Sequence, residues 1–191
     1  MSVRITRQRF SVGQFEQMVR VGILAEDDRV ELIDGEVLQM APIGGRHAEC
    51  VNLLADLLIV AARRAAIVSI QNPIRLGEHN EPQPDLALLE RRRGFHTGRT
   101  PTSNEVLLVI EVADTTLDYD QDVKLPLYAR AGIPEAWIVD VNDETVTVWR
   151  EPREGLYTSG RTLRAGSLIS PDPLPGIGIS VADIFGPDDP S

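Results

Sequence analysis

The stretch VLLVIEVAD, from Val106 to Asp114, constrains this chain most, because it places a carboxylate inside an otherwise apolar run. Five apolar residues lead up to Glu111 and two follow it. A run so rich in Val, Leu and Ile predicts a strand covered on both faces. Burying an unpaired charge there is costly, so Glu111 is expected to be paired, hydrogen-bonded or bound to a metal.

The strand "PDLALLE" poses the same question again. Asp85 follows Pro84 and opens a second apolar run. Alternate strand residues share a face, so Asp85 groups with Ala87 and Leu89, and Glu111 with Leu107, Val109 and Ala113. Two adjacent strands with one carboxylate each can bring both to one metal ion. An oxygen-only site of one or two carboxylates plus waters suits Mg²⁺, which also takes substrate phosphate oxygens.

Elsewhere the chain alternates helical and strand patterns. SVGQFEQMVRVGIL (11–24) predicts a short helix with Ser11 as N-cap. RVELIDGEVLQM predicts a hairpin around Asp34-Gly35, with Ile33 opposite Glu36 and Glu31 opposite Leu38. Residues 46–64 form a helix whose Cys50, Val51, Leu54, Leu57, Leu58 and Ala61 recur at helical spacing. Strands are expected at about 66–77 and 85–90, and a second major helix from Asp120 to Ala131, ended by Gly132 and Pro134. EAWIVDV and ETVTVWR make a hairpin around Asn142-Asp143, and short strands continue to about Phe185. That order predicts an α/β fold in which helices flank one mixed sheet.

At 191 residues the chain fits one domain, expected over 1–185, with an acidic tail at 186–191. The start, MSVRITRQRF, has no apolar core of a secretory signal. Asp56 interrupts the best apolar run before it reaches the roughly 18 residues of a membrane span. Cys50 is the only cysteine, which excludes an internal disulfide and a cysteine-rich zinc site. A cytoplasmic protein without a membrane partner is expected. The net charge of −10 argues against a broad electrostatic grip on nucleic acid but leaves room for a local basic groove. Of the 19 basic residues, all but Lys124 are arginine.

These stretches carry a resemblance. VELIDGEV, the helix opening at His47, QPDLALLE, VIEVAD and DVKLPLYARAGIPEAWIVD, in this order over about residues 25–150, resemble the Uma-type family of restriction endonucleases within the PD-(D/E)xK nuclease superfamily. The resemblance implies a restriction-endonuclease-like fold with a nuclease core at about 25–150. It also implies metal-dependent hydrolysis of phosphodiester bonds, with DNA as substrate. Asp85 and Glu111 would hold Mg²⁺ or Mn²⁺, and Lys124 would complete the catalytic set. The lysine that the superfamily carries two residues after the glutamate is replaced here by Ala113, and Lys124 on the following helix matches the family's migrated lysine. Glu31 and His47 match family positions that line the site. A homodimer is the simplest way to cut both strands of a duplex.

The lysine bias supports the migration independently. A chain that otherwise uses only arginine and keeps one lysine there suggests a site that a bulky, permanently charged guanidinium cannot serve. Plainer roles stand beside these. Lys124 can pair with Asp120, Glu111 with an arginine, and Asp85 can be a strand-entry turn residue. Glu31 can be an exposed hairpin residue and His47 a satisfied helix-start group, while Tyr128 and Trp137 read as core aromatics. Arg91, Arg92 and Arg93, with Arg99, form the best local cluster for phosphates or else a solvated loop. A catalytically silent adaptor dimer and a hydrolase of small phosphate esters are the competing functions.

Overall fold

The computed structural model describes residues 7–25, 28–91 and 98–186. Helix α1 spans Val12–Arg20 and is closed by a capping box, in which the Ser11 hydroxyl accepts from the Gln14 amide and the Gln14 side chain accepts from the Ser11 amide. Strands β1 (Val30–Ile33) and β2 (Glu36–Gln39) form the expected hairpin, with Ile33 opposite Glu36 and Glu31 opposite Leu38. Asp34 and Gly35 both have positive φ, 49° and 80°, which matches the twist of a two-residue hairpin turn. A side chain at position 35 would also collide with Arg9, whose Cβ is 2.6 Å from where a Cβ would stand.

Helix α2 (Gly45–Ala62) follows and buries the stripe Cys50, Val51, Leu54, Leu58 and Ala62. Strand β3 (Ala66–Ile70) is shorter than expected. Gln71 has a left-handed φ of 49° and Pro73 cannot donate to a ladder, so pairing stops there. Strands β4 (Leu86–Glu90) and β5 (Val106–Ala113) lead to a helical crossover in three pieces: α3 (Leu117–Tyr119), a π-helical turn (Asp120–Lys124) and α4 (Leu125–Arg130). The expected α-helix over 120–131 therefore opens with a wide turn. Pro126 has no N–H for residue 122, and its ring would crowd that carbonyl in a tight α-turn; widening the preceding turn relieves both problems.

Strands β6 (Glu135–Asp140), β7 (Thr145–Arg153) and β8 (Leu156–Leu163) complete a six-stranded sheet. The C-terminal part is less strand-like than expected. After the short pair β9 (Leu168–Ile169) and β10 (Ile179–Ser180), Val181–Phe185 forms helix α5. Of the acidic tail expected at 186–191, residues 187–191 lie outside the described residues.

The sheet order is β3-β4-β5-β6-β7-β8, antiparallel throughout except for the parallel pair β5 and β6. A parallel pair needs a long crossover. Here the crossover is the helix that carries Lys124, so the topology itself sets that helix over β5. Side-chain alternation splits the core in two. Leu86, Leu88, Leu108, Ile110 and Val112 pack with α2 and α5 on one face. Ala87, Leu89, Val109 and Ala113 pack with α4 and the β1–β2 hairpin on the other. Leu54, on the inner face of α2, is fully buried, and truncating it to alanine should cost about 2–5 kcal/mol. Among the described residues no helix is long and apolar enough to cross a membrane.

Candidate active site

Glu111 shares its sheet face with Val109 and Ala113, so it points into the layer occupied by α4. It is only 4% exposed, and Lys124 only 5%. The Lys124 Nζ lies 3.2 Å from Glu111 Oε1 and 3.4 Å from Glu31 Oε2. The Tyr128 hydroxyl, one helical turn beyond Lys124, donates to Glu111 Oε1. Glu111 is thus paired with a lysine rather than an arginine, and Asp120 accepts from the Thr116 hydroxyl at 2.7 Å. Among the described residues the hydrogen bonds and ion pairs of Glu111 all fall on Oε1.

The hairpin places Glu31 on the other side of the ammonium. Its Oε1 accepts from the Tyr119 hydroxyl at 2.8 Å and its Oε2 from the Gln83 amide at 3.3 Å. Tyr119 also offers its ring to Lys124, whose Nζ is 5.9 Å from the centroid, within cation–π range. This contact depends on the π-turn, because the two residues are five apart and a wide turn of i→i+5 period stacks them.

Asp85 stands one residue before β4 and beside Val112 of β5. Its Oδ2 accepts from the Val112 amide at 2.9 Å and pairs with His47 Nε2 at 3.0 Å. Its Oδ1 takes a long contact of 3.5 Å from the Gln71 side chain. His47 sits in the first turn of α2, and its buried Nδ1 has no partner among the described residues.

The electrostatics follow from burial and pairing. Burial pushes the Glu111 carboxyl well above its usual range, against the pull of Lys124. Burial also raises Asp120, to about 6. Burial acts upward on Asp85 too, but the His47 hydrogen bond and charge, with the Val112 amide, outweigh it and leave its pKa lowered. The Asp85 hydrogen bond raises His47 in return. Burial would lower Lys124, yet Glu111, Glu31 and Asp120 surround it and hold it above the ordinary lysine value. Lys124 is a charged donor, not a neutral amine.

Glu31, His47, Asp85, Glu111 and Lys124 all line one cavity of about 430 Å³. Of the basic cluster, neither Arg91 nor Arg99 is among the residues that line this cavity. Arg91 follows the last residue of β4, at the end of the strand opposite Asp85, and is exposed; it donates to the Ala66 carbonyl at 3.4 Å. Arg92 and Arg93 lie outside the described residues, and Arg99 is held by Glu105 at 2.6 Å. Sequence reasoning missed Tyr119, Gln71 and Gln83. Tyr119 carries no regular helical signal toward Lys124, and the glutamines act from irregular chain. The Tyr128 hydroxyl was within reach of sequence reasoning, since it sits four residues after Lys124.

A solved structure of similar fold is that of a putative nuclease belonging to DUF820 from Anabaena variabilis ATCC 29413. The match has a TM-score of 0.72, 17% sequence identity, and covers 92% of this chain and 97% of that one. At that identity the likeness concerns the fold. No curated protein matches the chain. The model of a family described as Uma2, putative restriction endonuclease, matches residues 12–182. A match over that much of the chain places it: the chain belongs to the Uma2 family of putative restriction endonucleases.

Proposed function

We propose that this protein is a metal-dependent endonuclease that hydrolyses phosphodiester bonds in DNA, with Asp85, Glu111 and Lys124 as its catalytic residues. One observation carries the reading: a buried ammonium from the helix after β5 is held 3.2 Å from the only carboxylate inside that strand. A surface ion pair would not need such burial.

The donor set can be tested against a divalent ion. Among the described residues no three His, Cys, Asp or Glu side chains form a metal cage. A closed zinc site is therefore a poor match. Two carboxylates, with water filling the remaining positions, suit Mg²⁺ or Mn²⁺. Asp85 fits because its lowered pKa keeps it ionised and Oδ1 is only loosely held. Glu111 fits because its contacts fall on Oε1. When bound, such an ion polarises the scissile phosphate and acidifies a water.

The chain's own residues do the rest. Lys124, firmly protonated, donates to the attacking water or a phosphate oxygen and offsets the charge that develops there. It cannot take the water's proton, which must leave to a carboxylate or to solvent. Tyr119 and Gln83 hold Glu31, and Glu31 with Glu111 holds the ammonium between them. His47 holds Asp85 against the Val112 amide.

Incubation of the protein with supercoiled plasmid, with single-stranded DNA and with a simple phosphodiester, with and without Mn²⁺, tests the reading. Mn²⁺-dependent cutting of plasmid or single strand is expected, and no cutting of either would overturn it. The cavity's volume of about 430 Å³, the size of a small-ligand pocket, favours a second reading, a hydrolase of small phosphate esters using the same carboxylates. Turnover of the simple ester with plasmid and single strand both intact would select it.

A further inference from the structure

We propose that the cavity receives an unpaired nucleotide, so that the substrate is single-stranded or locally extruded nucleic acid rather than a stacked duplex. The inference rests on the nuclease reading and adds the state of the substrate to it. The side chains that would act on a phosphodiester are not on an open face. Glu111 is 4% and Lys124 5% exposed, and both line a cavity of about 430 Å³. That is the size of a pocket for one small ligand. A paired duplex keeps its bases in the stack and its backbone on a convex surface, so it cannot enter such a pocket. A single strand or a flipped-out nucleotide can.

The lining also offers both kinds of surface a nucleotide needs. Acidic residues and Lys124 line the cavity together with the apolar side chains of Leu38, Met40 and Ile43. The latter belong to β2 and to the exposed segment that joins it to α2, and Ile43 is 43% exposed. Arg29, which also lines the cavity, donates to the Ala41 carbonyl at 2.6 Å and so ties this segment to the hairpin. A base seeks an apolar surface when it leaves the stack, and its phosphate seeks cations, here Lys124 and an ion held by the carboxylates. A ligand with an anionic group and a flat apolar group satisfies both kinds of surface. The net charge of −10 offers a duplex little long-range attraction, whereas local capture of one nucleotide does not depend on it.

The test compares three substrates with Mn²⁺: a synthetic single strand, the same strand fully paired, and a duplex with a central unpaired bulge. The single strand and the bulge should be cut about tenfold or more faster than the paired duplex, because unstacking a paired base costs a few kcal/mol. Replacing the nucleotides of the single strand by abasic sites should lower cleavage at those positions by about tenfold or more, as loss of base stacking does. Ile43→Asp, at an exposed position, should raise KM for the single strand with an unchanged melting temperature. Equal cutting of paired and unpaired DNA, or full cutting at abasic positions, would overturn this inference and leave the nuclease reading standing. No cutting of any substrate would overturn the nuclease reading, and this inference with it.

Discussion

Lys124 and Glu111 meet at 3.2 Å although they come from different elements, a crossover helix and a central strand. Each is almost fully removed from solvent. Removing one partner of such a pair leaves an uncompensated buried charge, at a cost of about 3–5 kcal/mol. A chain keeps that liability where the site uses it, and the expected consequences are specific.

Lys124→Arg should lower phosphodiester cleavage by about 10²- to 10³-fold, the usual loss when a positioned donor to the developing charge is displaced. Arginine keeps the charge, so the fold should survive with an overpacking cost of about 1–3 kcal/mol. Plasmid cleavage and thermal melting on one preparation separate the two effects. Wild-type cleavage by the variant would reduce Lys124 to a structural ion pair.

Asp85→Asn and Glu111→Gln should each largely remove Mn²⁺ binding in isothermal titration. Wild-type protein should gain thermal stability as Mn²⁺ is added, by mass action on the folded state. A single mutant that binds Mn²⁺ as the wild type does would rule out a site shared by the two carboxylates.

Tyr128→Phe deletes the buried hydroxyl that donates to Glu111. Leaving the carboxylate short of a donor should destabilise the fold by about 1–3 kcal/mol, read as a lower urea midpoint at unchanged slope. The deletion also removes an interaction that favours ionised Glu111, so the pH profile of cleavage should shift upward. An unchanged profile would show that Glu111 does not govern the rate.

Glu81 lies outside the site and predicts a pH effect of its own. Its Oε2 is buried without a partner among the described residues, and burial pushes its pKa up from 4.5 to about 7. Between those values the folded state binds more protons than the unfolded state, so stability falls as pH rises across that window. Glu81→Gln should melt above the wild type beyond pH 7 and near it below pH 4.5. Parallel melting curves at both ends would show that Glu81 ionises freely in the fold.

The hairpin register and the α2 stripe were legible because each rests on local chemistry: Asp-Gly at a tight turn, apolar residues at helical spacing. Glu111 was legible because a lone carboxylate in an apolar strand has few acceptable fates. The pairing of Asp85 with His47 was harder to foresee. His47 precedes a buried stripe, and only the meeting of the α2 N-terminus with the start of β4 shows that its partner is Asp85. Helix α5 was read as strand, since VADIF is only five residues long and offers little more than one helical period. The wide turn at Asp120–Lys124 was hidden for a related reason. Its cause is a proline downstream, whereas pattern reading assumes a constant period.

That turn has a consequence for how the chain tolerates insertions and deletions. An i→i+5 turn holds one residue more than an α-turn, and each residue advances a helix by about 100°. Deleting Gln121 would restore ordinary helical winding and set Tyr119 four residues before the lysine, the spacing at which an α-turn stacks two side chains. The wide turn therefore absorbs one residue: the crossover can carry five residues where an α-turn carries four and still face Tyr119, Lys124 and Tyr128 toward the same strand. A deletion placed inside the turn should be far better tolerated than one in α4, where no spare residue exists.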